Sequence, residues 1–412
     1  MTEAWIIDAC RTPRGIGKPG KGALTSIHPH HLGSTVLKAL AERNKINTAE
    51  IGDIIWGTSA QRGTQGGDLG RMAALDAGYD VRSSAMTLDR FCGSGITTVN
   101  IAAANIMSGM EDMCVAGGTE MMSLYGSDSF KGGSPFMDNG NLNLREMHPQ
   151  PHQGVCADAI ATLEGISREA VDDLAYESQQ RAKNAIENGY FDKSLVPVYH
   201  QDGSLALDKE EFPRPQTSRA DIGNLEPSFA KIADYPLDEQ GTTYRKLVAQ
   251  AYPDLEINHV HHAGNSSGVV DGAGALLLTS ADYAKANGLK PRARIVAMAN
   301  MGDSPTLMLN APVPAAQKVL KKAGLSLNDI DLFEVNEAFA VVTEKFIRDL
   351  DIDRAKINVN GGAIALGHPI GATGALLVGT VLDELERRNG QFALVTMCAA
   401  GGMAPAVIIE RI

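Results

Sequence analysis

Residues 85–118 read AMTLDRFCGSGITTVNIAAANIMSGMEDMCVAGG, and the spacing of apolar residues along this stretch decides the fold class. Ala85-Met86-Thr87-Leu88 is mostly apolar and strand-like, and the glycine turn Phe91-Cys92-Gly93-Ser94-Gly95 follows it. Ile96, Val99, Ala103, Ile106 and Met110 then recur at steps of three and four, the period of a helix with one buried face. Met113-Cys114-Val115-Ala116 is apolar again and runs into Gly117-Gly118. Strand, glycine turn, helix and strand in succession are the building unit of an α/β protein.

Residues 357–402 repeat that order. Ile357-Asn358-Val359-Asn360 leads to Gly361-Gly362 and on to Gly367-His368-Pro369. Val378, Val381, Leu382 and Leu385 mark a helix that Gly390 stops, and Ala393-Leu394-Val395-Thr396 leads to Cys398 and Gly401-Gly402. The repeat reads either as an internal duplication, each half presenting a reactive side chain from the turn before a helix, or as recurrence of a common α/β unit. Between the two stretches the pattern changes. Residues 124–150 are rich in Gly, Ser, Asn and Pro with little periodicity, which predicts an excursion over the surface. Residues 167–189 predict a helix capped by Ser167, with Glu169, Asp172 and Asp173 in its first turns and Gly189 at its end. Residues 200–260 are polar and punctuated by proline. The organisation predicted is one half over residues 1–123, to which 259–283 return, a second half over 284–412, and an inserted loop domain over 124–258.

Bulk properties narrow the function. The 412 residues suit two or three units with sizeable cores. A net charge of −12 disfavours nucleic acid, whose phosphates need a basic surface. The longest apolar runs fall short of the ~20 residues that span a bilayer, so no membrane partner is expected. Met1–Cys10 runs straight into the strand-like Trp5-Ile6-Ile7-Asp8-Ala9 and lacks the pattern of a signal peptide, while Val407-Ile408-Ile409 reads as a final strand. The cysteines Cys10, Cys92, Cys114, Cys156 and Cys398 are odd in number and widely spaced, so no disulfide framework is implied and a cytoplasmic setting is expected.

Five residues stand out chemically. Cys92 lies in a glycine-rich turn at the start of a predicted helix, where backbone N–H groups and the helix dipole lower a thiol's pKa; taken alone it also reads as a small buried hydrophobe. His368, between Gly367 and Pro369, is a natural base for a thiol or a hydrogen-bonded structural histidine. Cys398 is a proton carrier at a carbon centre or a buried strand-end thiol. Asn336 and Glu337 sit where the apolar run 330–335 gives way to a helix predicted over Glu337–Phe346, which suits an amide that holds a water or polarises a carbonyl, or a plain helix cap. The groups His28, His30, His31 and His259, His261, His262 lack a carboxylate or thiol at a recognised metal spacing, and no metal is expected.

Together these motifs resemble the thiolase family. Phe91-Cys92-Gly93-Ser94-Gly95 resembles its nucleophile turn, Asn336-Glu337-Ala338-Phe339-Ala340 its Asn-Glu-Ala-Phe motif, residues 360–369 its histidine block, and Cys398 with Gly401-Gly402 its C-terminal cysteine loop. Ala263-Gly264-Asn265-Ser266-Ser267-Gly268 and Asp271-Gly272 also fit, and the likeness spans essentially the whole chain. The resemblance implies duplicated α/β halves layered αβαβα, and thiolytic cleavage of a 3-ketoacyl-CoA or the reverse Claisen condensation. It assigns Cys92 as the acylated nucleophile, His368 as its base, Asn336 with His368 as holder of the enolate oxygen, and Cys398 as the α-carbon acid and base. The N–H groups of Cys92 and Ala400 would hold the oxyanion. Arg214 would contact the CoA phosphates, Phe229 and Ser267 the pantetheine arm, and His152 and Met308 fall in acyl-pocket strips. The implied partners are CoA and acyl-CoA, as substrate and product, in a homodimer or homotetramer with no metal or redox cofactor.

The chain departs from the family pattern at Gln153, where Met is usual, at Met308-Leu309-Asn310-Ala311, where glycine is frequent, and at Ala399-Ala400. An apparent insertion covers roughly residues 231–258. None of these removes a catalytic group, and together they point to a substrate longer or bulkier than acetoacetyl-CoA. A β-ketoacyl carrier-protein synthase would pair two histidines with its cysteine and lack Cys398, and a non-enzymatic CoA- or lipid-binding relative would lack catalytic groups.

Overall fold

The computed structural model describes residues 2–127 and 134–412. The main sheet contains β1 (Ala4–Arg11), β2 (Asp53–Gly57), β3 (Ser84–Leu88), β4 (Met113–Met121), β5 (Val270–Ser280), β6 (Ala293–Gly302), β7 (Leu332–Val335), β8 (Phe392–Thr396) and β9 (Met403–Arg411), with a two-residue strand at Gly15–Ile16 beside β5. Their spatial order is β7-β8-β9-β6-β1-β5-β4-β2-β3. In one half β3, β2 and β4 run parallel and are followed by antiparallel β5 and β1. In the other, β7 and β8 run parallel and are followed by antiparallel β9 and β6. The same directions in the same order, built twice, are a duplication.

The second half lacks one strand that the sequence predicts. Residues 357–360 form a turn, and only Ile357 bridges Phe333, in the parallel sense in which β3 joins β2. Asn358 takes φ 45° and ends the strand after that single bridge. Its side-chain amide then accepts from the Val335 N–H (2.9 Å) and donates to the Val335 carbonyl (2.8 Å). The amide thus satisfies the edge of β7 that further strand residues would otherwise pair. Two helix boundaries also differ from expectation. The helix after Asn336 starts at Ala340, because Phe339 stays extended and bridges Ser266. The helix expected to stop at Gly390 is capped one residue earlier, by Asn389 at φ 54°.

Among the described residues the halves of the sheet pair at Trp5–Arg294 and Ile6–Ala293. Alternation of side chains along the strands then sorts the core into three levels. Inner-facing Ile6, Ile55, Ala116 and Leu278 from one half, and Ile295, Val395 and Val407 from the other, enclose α3 (Ser94–Ser108) and a long helix Thr373–Arg388. The outer face of the first half, through Ile54, Trp56 and Val115, carries α1 (Pro29–Asn44) and α2 (Leu69–Asp76). The outer face of the second, through Phe333, Leu394 and Ile408, packs on α4 (Gln153–Leu163), α5 (Arg168–Glu187), α6 (Tyr244–Ala251), α7 (Pro312–Ala323) and α8 (Ala340–Leu350). The result is helix, sheet, helix, sheet, helix, and the helix Thr373–Arg388, α9, is the second member of the central layer.

Ser167 caps α5 as expected, its hydroxyl accepting from the Ala170 N–H. Residues 128–133 of the predicted surface excursion lie outside the described residues; the remainder includes a short helix at Leu142–Met147 with Leu142 and Met147 exposed. The insertion is a packed element, since α6 buries Leu247 and Val248. Among the described residues no helix is long and apolar enough to cross a membrane.

The two central helices touch backbone to backbone at their N-termini. A Cβ on Gly95 would lie 2.7 Å from the Gly374 and Ala375 nitrogens, and one on Gly374 would lie 2.0 Å from the Ile96 nitrogen. No L side chain fits there, so glycine is required on both helices. Gly374→Ala should therefore cost at least ~1–3 kcal/mol of stability by overpacking, with backbone displacement adding to it. Chemical denaturation reads this directly, and an unchanged midpoint would contradict the contact.

Candidate active site

The turn before α3 is held tightly. Phe91 sits at φ 50°, a region costly for a side chain with a Cβ, and its N–H donates to the Asp89 carboxylate (2.6 Å). Ser94 clamps the same turn, accepting from the Arg90 N–H (2.8 Å) and donating to the Phe91 carbonyl (2.7 Å). Cys92 is thereby presented two residues before the helix begins, and is buried. A Cβ on Gly93 would meet Ala399 at 3.3 Å and Pro405 at 2.9 Å, so the turn lies against the loop that carries Cys398.

The turn before α9 presents His368. Its Nδ1 lies 2.6 Å from the Thr373 hydroxyl, which itself donates to the Pro369 carbonyl (3.0 Å). With that hydroxyl proton spent, Thr373 accepts from Nδ1–H and leaves the Nε2 lone pair as the base. Nε2 is 3.4 Å from the Asn336 amide nitrogen, and the Asn336 amide oxygen is buried without a partner among the described residues. Thr373 was not apparent in sequence, where the histidine block ends at Pro369.

Two buried acids position these loops. Glu120, at the end of β4, accepts from the Ser59 and Gly371 N–H groups (both 2.8 Å), from the Gln65 amide, and from the Thr58, Ser59 and Tyr125 hydroxyls. Gly371 lies midway along the loop from His368 to Thr373, so a carboxylate of the first half anchors the histidine loop of the second. Glu337 accepts from the Ser178 hydroxyl (2.7 Å), the Asn358 amide (3.0 Å) and the Ile364 N–H (3.2 Å), tying the Asn336 loop to the histidine block. The segment Asn265–Gly268 threads between them. Ser267 N–H donates to Ala338, Gly268 N–H to Ala363, and the Gly268 carbonyl accepts from His368 N–H (2.9 Å). An acid inside the apolar run Met113–Met121 was the one sequence signal for Glu120.

The electrostatics depart from the sequence expectation for Cys92. Burial, then the neighbouring Cys398 thiol and the Glu120 carboxylate, push its pKa well above the usual thiol value. These outweigh the helix terminus, because a desolvated thiolate loses more hydration than a helix dipole returns. Burial likewise pushes the Cys398 thiol up to about 12. Burial and then the Arg14 guanidinium lower His368 to about 3. The resting site therefore holds two neutral thiols beside a neutral imidazole.

The residues expected to bind substrate divide between two clefts. Arg214 and Ser267, with Lys18, Phe212 and Gly268, line one of about 530 Å³. His152 lines another of about 300 Å³ with Gln150, Tyr244 and Phe339. Phe229, expected on the pantetheine arm, lies 5.6 Å from the His152 ring and 5.8 Å from that of Phe339. Its ring covers the helix that His152 caps, where the absence of a Cβ on Gly154 admits it. Met308, expected in an acyl-pocket strip, is sealed in the core at φ 63°, in the same cluster as Cys398 and Phe339. A further cleft of about 620 Å³, over His28, His31 and His200, is lined by none of these groups.

The histidine groups are structural. His259 and His261 bind the Asp158 carboxylate at 2.6 and 2.8 Å, and His262 binds Asp172 at 2.8 Å. His28 caps α1 and His31 contacts Asp76. Among the described residues no group of three such side chains is placed to hold a metal.

Residues 4–233 match the family model described as Thiolase, N-terminal domain, and residues 289–411 match Thiolase, C-terminal domain. A steroid 3-ketoacyl-CoA thiolase of Mycobacterium tuberculosis is 37% identical over 420 residues, covering 100% of this chain and 95% of that protein. A 3-oxoadipyl-CoA/3-oxo-5,6-dehydrosuberyl-CoA thiolase of Escherichia coli is 39% identical over 430 residues, covering 100% of both. The crystal structure of human mitochondrial 3-ketoacyl-CoA thiolase superposes with a TM-score of 0.84 at 34% identity, covering 100% of this chain and 99% of that one.

The charge states above have a direct consequence. A thiol held above its usual pKa is protonated at neutral pH, and an imidazole lowered to about 3 is uncharged there. Alkylation of Cys92 by iodoacetamide in the ligand-free protein should therefore keep rising to about pH 9, because only the thiolate reacts. Peptide mass spectrometry across that range reads it; a plateau reached below neutrality would show a preformed thiolate–imidazolium pair instead.

Proposed function

The chain belongs to the thiolase family, acyltransferases that cleave a 3-ketoacyl-CoA with CoA or run the reverse condensation, and we propose that it does so through an acyl group carried on Cys92. The observation that carries this reading is the Asn336–His368 contact of 3.4 Å, with the far side of the imidazole fixed by Thr373. With Nδ1 held by Thr373, Nε2 beside the Asn336 amide is the nitrogen left to take the Cys92 proton.

Cys92 attacks a thioester or ketone carbonyl as His368 Nε2 takes its proton. Neither group is charged beforehand, so proton transfer accompanies attack and no buried ion pair has to be held at rest. The N–H groups of Cys92 and Ala400 hold the tetrahedral oxyanion. The absence of a backbone acceptor for the Ala400 N–H among the described residues supports that role. The Asn336 amide, through a water, and His368 hold the enolate oxygen of the second substrate, and Cys398 gives or takes the α-carbon proton. In the cleavage direction CoA thiolate then releases the shortened acyl chain. Both directions share one transition state, so concentrations decide between them.

CoA takes the cleft of Arg214 and Ser267, where Lys18 adds a second cation for its phosphates. The acyl group takes the cleft beside His152, with Phe229 and Met308 shaping its wall from behind. The scheme needs no metal or redox cofactor. The five free cysteines are consistent with a cytoplasmic protein. The assembly is a homodimer or homotetramer, which the open sheet edge at β3 supports, with exposed Val81 and Met86 beside it.

A panel of 3-ketoacyl-CoAs assayed by thiolysis tests the scheme. Cys92→Ser should lose several orders of magnitude, because a serine hydroxyl supplies no comparable anion at neutral pH. Cys398→Ala should also lose turnover yet still trap an acyl group on Cys92. Full turnover in either variant, or no adduct in the second, would overturn the assigned roles.

A further inference from the structure

We propose that Tyr244, carried by the helix that the insertion adds, sets which acyl groups this enzyme accepts, by walling the cleft beside His152 and confining it to neutral chains of limited bulk. The inference rests on the reading of that cleft as the acyl site. Its lining, which includes Pro135, Met137, Gln150 and Phe339, is apolar or neutral throughout. Burial lowers the His152 pKa, which keeps that ring uncharged as well.

Three observations place Tyr244 as a wall of this site. Its ring lies 5.6 Å from that of His152, opposite neighbours in the same small cavity. Its hydroxyl donates to the Pro135 carbonyl (2.9 Å), bridging the insertion to the segment on the far side. It also packs on the core cluster to which Phe339, Met308, Cys398 and Ala400 belong. A Cβ on Gly401, three residues after Cys398, would come within 3.8 Å of Gln150, another residue of the lining.

The wall is rigidly held. Thr243 caps α6, its hydroxyl accepting from the Lys246 N–H, and Leu247 and Val248 bury the helix's inner face. Arg245 joins the Asp234 carboxylate (2.6 Å) and the His259 Nε2 (3.1 Å), while His259 Nδ1 binds Asp158 (2.6 Å). Asp158 lies on α4, the helix that His152 caps. Tyr244 and His152 are thus referred to the same helix through one chain of hydrogen bonds. A ring so anchored excludes chains by shape, where a loose one would move aside.

The test compares kcat/KM for thiolysis of neutral 3-ketoacyl-CoAs of four to twelve carbons by the unmodified protein and by Tyr244→Ala, Tyr244→Phe and Tyr244→Trp. Tyr244→Ala should raise the long-to-short ratio by about tenfold or more, the scale on which single methylenes are discriminated in an apolar pocket. Tyr244→Phe keeps the ring and should leave the ratio within about twofold, while Tyr244→Trp should move it towards short chains. Because the tryptophan variant reports in the opposite direction, poor folding of the alanine variant does not decide the outcome. An unchanged ratio in both, with turnover intact, overturns the role of Tyr244 alone. Absence of thiolysis with every substrate in the unmodified protein overturns the proposed function and this inference with it.

Discussion

Two helices meeting through glycine backbone at their first turns govern the architecture of this protein. Gly95 and Gly374 let α3 and α9 approach so closely that a Cβ on either would collide with backbone nitrogens of the other. Each helix is preceded by a short turn bearing a reactive side chain, Cys92 before α3 and His368 before α9. Closing the gap between the helices therefore draws together the turns that carry a thiol and an imidazole 276 positions apart in the chain. The halves of the sheet wrap the pair from both sides, so the N-terminal turns of the helices are buried and the loops before them inherit that rigidity.

The duplicated halves are alike in path and different in detail, and the differences serve the site. The first half keeps its parallel edge strand, Ser84–Leu88, which feeds directly into the Cys92 turn. The second half reduces the matching strand to one bridge at Ile357, and Asn358 closes the edge with its amide. The chain thus freed carries residues 358–367 over Glu337 and past Asn265–Gly268, which seats the histidine block between the Asn336 loop and the first half. Glu120 completes the junction by reaching from β4 to Gly371. Buried carboxylates that accept several hydrogen bonds are costly to strand and strongly directional, which suits them to aligning loops.

Neutrality of the resting site follows from the same burial. A thiolate–imidazolium pair inside so dry a cluster would need compensation that Glu120 and Cys398 do not offer, and both disfavour the anion. The reacting carbonyl supplies what the resting site lacks, since negative charge then moves from sulfur to an oxygen facing N–H donors.

Sequence alone determined the features that rest on local pattern. Spacings of three and four located α3 and α9, Ser167 announced α5, and the order of the motifs around Cys92, Asn336, His368 and Cys398 pointed to the family that the full-length matches share. Local pattern was insufficient wherever a partner came from far along the chain. The strand expected at Ile357–Asn360 gave way to the amide of Asn358, whose value depends on Val335 lying alongside. The helix start moved to Ala340 because Ser266 holds Phe339 extended. Phe229 reaches His152 because Gly154 leaves room for its ring, and the lowered pKa expected of Cys92 was reversed by burial first, then by thiol and carboxylate neighbours brought in by folding. Periodicity and turn chemistry are properties of neighbouring residues and can be read from their order. Desolvation, charge proximity and side-chain contact depend on distances that exist only after the halves close, and the tertiary structure decided those.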